Sequence, residues 1–217
     1  MDGRSRRWAN GVSRAALASC GCRSGQQRGV ALTASVNALV IGIGNVFRRD
    51  DGVGPAVLAQ LKKRALARPL PPHTVLQECD GDPGRLIGLW ENVALAVVVD
   101  ACFPPSPRSG HVHRWCPAPG AVPNPAGTQR HSTHGFGLLE TLRLADSLGR
   151  SPGRLVVYAV EGAERCLGTG LTPSVIRAVG PLAERIEQDV VRHAEAAAGD
   201  RQSSAGIGVT RRSGSVS

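Results

Sequence analysis

The sequence predicts an α/β protein whose mostly parallel sheet is covered by helices on both faces. Apolar, β-branched runs of strand length alternate along the chain with segments whose apolar residues recur at helical spacing. The run at 93–99 is almost continuously apolar and ends in three valines, as expected of a central strand that is buried on both faces. Strands and helices that alternate in this way build a parallel sheet with crossover helices.

The predicted elements follow one another from an apolar strand at 38–43. A helix is predicted at 51–67, where Val53, Val57 and Leu61 recur at helical spacing. The next segments are a strand at 74–78, a short helix at 85–91, the strand at 93–99, an antiparallel or edge strand at 110–116, a loop at 117–129, a helix at 136–148, a strand at 154–160 and a helix at 172–197. The start of the last helix is placed at Thr-Pro, because threonine is a good N-cap residue and proline is well tolerated at the first helical position.

Composition and charge indicate a globular domain with basic ends. The chain has 217 residues, of which 41% are hydrophobic and 20% are charged, as in ordinary folded domains. Of the net charge of +9, residues 1–35 carry +5 and residues 200–217 carry +2, which leaves +2 for the body. We therefore predict an Arg-rich disordered extension at 1–35, a domain at 36–198 and a disordered tail at 199–217. A near-neutral body argues against nucleic acid as a partner, and no apolar run is long enough to cross a membrane.

Three polar residues stand next to ends of the predicted elements. Asp51 follows the first strand, Asp100 ends the run at 93–99, and His134 precedes the helix at 136–148. The carboxyl ends of parallel strands meet at one edge of a sheet, so these residues can converge there. Two carboxylates and an imidazole suit a divalent ion such as nickel or zinc, and they could equally form an acid–base group.

Simpler roles remain open for each of these residues. Asp50 or Asp51 could cap the following helix, Asp100 could cap a turn, and His131 or His134 could be a neighbour of a helix start without a ligand. The glycine turn at 42–44 lacks the third glycine of a dinucleotide fingerprint, because that position is Phe47.

The stretch GIGNVFRRDDGVG at 42–54 resembles the GxGNxxxxDDGxG signature of the hydrogenase maturation proteases. These endopeptidases process the large subunit of nickel–iron hydrogenases. Further segments match that family in order, namely Gly81-Asp82, VVVDA at 97–101, SGHVHR at 109–114, STHGFGL at 132–138, and the segments at 160–162 and 168–175. The resemblance covers about residues 37–195, and its specificity lies in the ordered combination.

This resemblance implies a three-layer α/β/α sandwich with a twisted, mostly parallel sheet of about five strands. It implies a monomeric, cytoplasmic endopeptidase that removes the C-terminal extension of a hydrogenase large-subunit precursor after nickel insertion. The nickel would be contributed by that substrate and contacted by Asp51, Asp100 and His134, with no organic cofactor. His134 is preferred to His131 because the residues after it match the family register.

The resemblance leaves Asp50 as a capping or supporting acid and makes Asp80 and Asp82 further candidates for support. On the same basis the glycines of the first turn would give a protein substrate room to approach. Two rival functions are a non-catalytic protein that checks the metal state of the immature subunit, and a peptidyl-tRNA-hydrolase-like or nucleotide-binding protein.

Overall fold

A computed structural model describes residues 37–117 and 137–206, with only the backbone for 201–206. The strands are β1 (Ala38–Ile43), β2 (Thr74–Cys79), β3 (Leu95–Cys102), β4 (Val112–Trp115) and β5 (Arg154–Glu161). The helices are α1 (Val53–Ala65), α2 (Pro83–Trp90), α3 (Leu138–Ser147) and α4 (Pro173–Gly206), and a 3₁₀ turn at Arg49–Gly52 precedes α1. No helix in this described part of the chain has the length and apolar character needed for a membrane span.

The five strands form one sheet in the order β2-β1-β3-β5-β4. β1 pairs in parallel with β2 and β3, and β3 pairs in parallel with β5. β4 is an edge strand that runs antiparallel to β5, as the alternation at 110–116 allows. The predicted α/β fold with a mostly parallel, five-stranded sheet is confirmed.

Two hydrophobic clusters lie on opposite faces of the sheet. On one face the apolar side chains of α1 and α4 pack against the sheet, and on the other face those of α2 and α3 do so. Val40 and Ile41 are adjacent in β1 and belong to different clusters, and both are completely buried. Successive side chains of a strand point to opposite faces, so a central strand covered on both sides has no polar face.

Some element boundaries differ from those predicted. β3 continues through Asp100 to Cys102, because its pairing with β5 extends to Glu161, so Asp100 lies within the strand and not after it. α1 begins at Val53, since the two adjacent acids form part of the 3₁₀ turn. α4 runs to Gly206, so the first part of the predicted tail is helical.

Several predictions from the sequence concern segments that are not described. The extension at 1–35, the end of the chain after 206, most of the loop at 117–129, and both His131 and His134 lie outside the described residues.

Candidate functional site at the carboxyl edge of the sheet

The glycines around β1 bring the start of α1 against the end of the strand. A Cβ atom added at Gly42 would lie 2.6 Å from the backbone of Gly54, and one added at Gly54 would lie 2.2 Å from the carbonyl oxygen of Ile43. Gly44 has a φ of +141°, and its added Cβ would lie 1.8 Å from the carbonyl oxygen of Asp51. The expectation that these glycines leave room for a substrate is therefore wrong, because the chain's own backbone occupies the space beside them.

We expect Gly44→Ala to lower the free energy of unfolding by about 2–4 kcal/mol, because it combines an unfavourable φ with a clash against backbone. Gly149→Ala is the matched control, since Gly149 also has a positive φ, +65°, but has no atom within 4 Å of an added Cβ. It should cost about 1–2 kcal/mol from backbone strain alone. Urea denaturation of both variants checks the prediction, and equal losses would contradict it.

Asp51 is almost fully buried, and the turn after β1 orients its carboxylate. The amide of Asn45 donates a hydrogen bond of 3.0 Å to Asp51 Oδ2. The side-chain oxygen of Asn45 in turn accepts a hydrogen bond of 2.9 Å from the amide of Phe47. Asp51 and this turn line a pocket of about 320 Å³. The structure therefore places the first predicted site residue in a concave site at the carboxyl end of β1.

Asp50 has a different role from its neighbour, because its carboxylate binds the loop between β5 and α4. Its Oδ2 accepts hydrogen bonds from the amides of Ala163 and Glu164, at 2.9 and 3.1 Å, and from the hydroxyl of Thr172 at 3.0 Å. Its Oδ1 accepts a bond of 2.6 Å from the amide of Thr172. The N-cap residue of α1 is Gly52, which has no side chain to cap the helix, and the printed hydrogen bonds of the Asp50 carboxylate all go to this distant loop. Asp50 therefore connects the turn that carries Asp51 to the loop between β5 and α4.

Asp100 is buried in β3 and lies close to Asp51. Burial raises the pKa of Asp100 to about 7, a hydrogen bond from the Ala101 amide opposes this rise, and the negative charge of Asp51 adds to it. That amide donates to Asp100 Oδ1 at 2.8 Å. The structure thus brings two of the three predicted site residues together. A divalent cation beside both carboxylates would offset their repulsion, and a carboxyl group with a pKa of about 7 can exchange a proton at neutral pH.

The remaining acids near the pocket have separate roles. Asp80 lines the pocket, and its pKa is lowered chiefly by the hydrogen bond from the Asp82 amide. Asp82 caps α2 by accepting a bond of 2.8 Å from the amide of Arg85. Glu78 also lines the pocket and was missed from the sequence. It stands at the end of the predicted strand at 74–78, but only the register of β2 with β1, which pairs it with Gly42, brings it to the pocket.

The pocket combines acidic side chains with an exposed apolar rim, the lip, which is formed by Val46 and Phe47. It is lined by Gly44, Asn45, Val46, Phe47, Arg48, Asp51, Pro55, Glu78 and Asp80. Val46 is 47% exposed and Phe47 is 64% exposed. The third predicted ligand, His134, lies outside the described residues, so its place in this site stays a prediction.

Three solved structures of hydrogenase maturation proteases have the same fold as this chain. The hydrogenase-maturating endopeptidase HybD from E. coli is 23% identical, with a TM-score of 0.54 over 69% of this chain and 89% of that chain. The [NiFe] hydrogenase maturation protease HybD from Thermococcus kodakarensis is 20% identical, with a TM-score of 0.56 over 71% and 99% of the two chains. HycI from Thermococcus kodakarensis KOD1, also a [NiFe] hydrogenase maturation protease, is 20% identical, with a TM-score of 0.53 over 73% and 94%.

No protein-family model matches the chain, and a search of curated proteins finds no match. The likeness to solved structures spans nearly the whole length of the proteins compared. The chain therefore has the three-layer α/β fold of the hydrogenase maturation proteases, as the sequence motifs predict.

Proposed function

We propose that this protein is an endopeptidase of hydrogenase maturation, which removes the C-terminal extension of a nickel–iron hydrogenase large-subunit precursor after nickel insertion. The observation that carries the proposal is the meeting of Asp51 and Asp100 at the carboxyl edge of a sheet with this fold. Ligand sites of open α/β sheets lie at this edge. The proposed setting is the cytoplasm, and the proposed working form is a monomer.

Nickel enters this proposal as part of the substrate. Asp51 and Asp100, with His134 as the third contact, would supply two oxygens and one nitrogen to a borderline divalent ion. Three protein ligands leave coordination positions for the substrate's own groups. Binding would then be strong only when the precursor already carries its metal, which makes cleavage conditional on metal loading.

The lip of the pocket suits a polypeptide substrate. Val46 and Phe47 present exposed apolar surface directly beside Asp51, where a protein chain could pack. The position of Phe47 is fixed, because its amide donates to the side chain of Asn45 and its carbonyl accepts a hydrogen bond from the amide of Gly168. A rigid apolar contact of this kind favours binding since little conformational entropy is lost.

The pocket's charge argues against the rival nucleotide-binding function. Three acids, Asp51, Glu78 and Asp80, line it with one cation, Arg48, and this excess of carboxylates would repel phosphate groups. Gly44 does not cradle a ligand either, since it lies against the carbonyl oxygen of Asp51.

The chemistry proposed for the cleavage is hydrolysis by an activated water. Without metal, the pKa of Asp100 is about 7, so this carboxyl group would give up a proton on contacting the nickel of the substrate. The metal would then help to activate the water. Asp51 would hold the metal-bearing part of the substrate beside it.

The test is to incubate purified, nickel-loaded large-subunit precursor with the full-length protein and to follow its intact mass. We expect the loss of a C-terminal peptide from the nickel-loaded precursor and no change in the nickel-free precursor. Cleavage of both forms would contradict the role of nickel but leave the protease proposal intact. A stable complex whose precursor keeps its full mass would instead establish the non-catalytic checkpoint function.

A further inference from the structure

A second cluster of metal-ligating side chains lies at the edge of the sheet formed by β4 and β5. It consists of His111, His113 and Glu161, and one potential ligand atom from each lies within 4.8 Å of the others. The two imidazole rings meet edge to face with their centroids 4.7 Å apart. We propose that these three residues form a binding site for a divalent transition metal, most simply Zn²⁺, separate from the site at Asp51.

The strand geometry explains why the three side chains converge. His111 lies one residue before β4 and His113 lies within it, two positions further on, so their side chains emerge on the same face. The backbone of Glu161 is fixed beside them, because its amide donates to the carbonyl of His111 at 2.9 Å and its carbonyl accepts from Gly110 at 2.7 Å. The histidines and the carboxylate are therefore held by neighbouring backbone and do not depend on a long loop.

Glu161 is a buried carboxylate held in place beneath two exposed imidazoles. Only 5% of its surface is exposed, whereas His111 and His113 are both exposed. Its Oε2 accepts a hydrogen bond of 2.5 Å from the amide of Arg108, and its Oε1 lies 2.7 Å from Nε2 of His113. Burial acts to raise the pKa of Glu161, but these two hydrogen bonds and the positive charges of His113 and Arg108 together hold the pKa below its ordinary value.

β4 is anchored from its opposite face, which keeps the histidines in place. Arg114 follows His113 in β4, so its side chain points to the opposite face of the strand. Its guanidinium contacts Asp189 of α4 at 3.1 Å and the hydroxyl of Tyr158 at 3.0 Å. The Tyr158 hydroxyl also donates to Asp189 at 2.6 Å. A ligand set on a fixed strand loses little conformational freedom when it binds a metal.

The donor types indicate the class of metal. Imidazole nitrogens suit zinc, copper, nickel and iron, and two histidines with one carboxylate form a three-ligand set that is known for zinc with an open fourth position. The hydrogen bond between His113 and Glu161 allows either direct ligation by the carboxylate or ligation by the other ring nitrogen, with the carboxylate orienting the ring. Exposure of both imidazoles leaves a path by which an ion can enter.

The three residues of this site differ from Asp51 and Asp100, although both sets lie at the carboxyl edge. In the register of β3 with β5, Asp100 is paired with Ala159 and Cys102 with Glu161. Glu161 is thus one strand across and two residues further along from Asp100, a separation of roughly 8 Å between backbones. The proposal does not depend on the protease function, because it requires only that the three side chains bind an ion.

The test is a calorimetric titration of the full-length, untagged protein with Zn²⁺ in an Asp51→Asn background, which removes one contact of the other site. We expect His111→Asn and His113→Asn each to weaken Zn²⁺ binding at least about tenfold. Each should also abolish the rise in melting temperature that Zn²⁺ causes, since a ligand stabilises only the folded state that binds it. Both histidine side chains are exposed, so the fold should persist in each variant.

His73→Asn is the matched control, because His73 is an exposed histidine at the opposite end of the sheet, and asparagine tolerates its φ of +61°. It should leave Zn²⁺ affinity unchanged. Wild-type affinity in either His111→Asn or His113→Asn would overturn the proposal, as would loss of all Zn²⁺ binding in Asp51→Asn alone. The side chain of His111 is exposed and meets the ring of His113, and its replacement keeps the backbone bond to Glu161, so its variant remains decisive even if His113→Asn fails to fold.

Discussion

Asp51→Asn should reduce processing of a nickel-loaded precursor at least about hundredfold, while the protein stays folded. Direct metal contacts are expected to matter at least as much as the groups behind them, whose loss costs 10- to 100-fold. Asparagine retains an oxygen that can accept the hydrogen bond from the Asn45 amide, so the turn after β1 keeps its contact. The substitution also removes the charge that repels Asp100, and the fold should not suffer from that.

The measurement is the initial rate of precursor cleavage, followed by intact mass, with circular dichroism to verify the fold. Asp146→Asn is the matched control, because Asp146 is an exposed acid in α3. It should process the precursor at the wild-type rate. Full activity of Asp51→Asn would remove this residue from the site, even if the protein remains a protease.

Asp50→Ala should lower the free energy of unfolding by about 3–5 kcal/mol, because it leaves buried hydrogen-bond donors without their acceptor. The carboxylate has no exposed surface and binds three backbone amides and one hydroxyl in the loop between β5 and α4. Removing it would also release the loop that carries Thr172 at the start of α4. Asp50→Asn should cost less, since one of its side-chain atoms can still accept.

Urea denaturation measures this loss, with Asp146→Ala as the control for removing an exposed acid. The control should change the free energy of unfolding by no more than about 0.5 kcal/mol. A loss of similar size in Asp50→Ala and Asp146→Ala would show that the buried hydrogen bonds contribute little to stability.

Much of the architecture could be predicted because local patterns and the packing requirement agree. β1 has the predicted bounds, and β4 is the antiparallel edge strand that its alternation allows. Pro173 is the first residue of α4, as its preceding threonine and its missing N–H indicate. The predicted ends of β3 and α4 were too early. β3 continues to Cys102 because β5 offers it hydrogen bonds that far, and α4 continues to Gly206.

The candidate site was only partly predictable. Asp51 and Asp100 were recognised because both stand near the carboxyl ends of neighbouring parallel strands, and the structure brings them together. Glu78 was missed, since nothing in the sequence alone shows that β2 lies beside β1. The pairing of His113 with Glu161 was missed for the same reason, because it joins residues that are 48 positions apart.

The sequence by itself determined the alternation of strands and helices, the two-sided burial of the central strands and the place of the acids after β1. These follow from side-chain periodicity and glycine spacing, which act over a few residues. Only the tertiary structure decided what each of the two adjacent acids does. Asp50 finds its partners 113 to 122 residues away, whereas Asp51 faces the pocket and Asp100. Neighbours in sequence point in different directions, and the groups they meet are supplied by distant segments that only folding brings near.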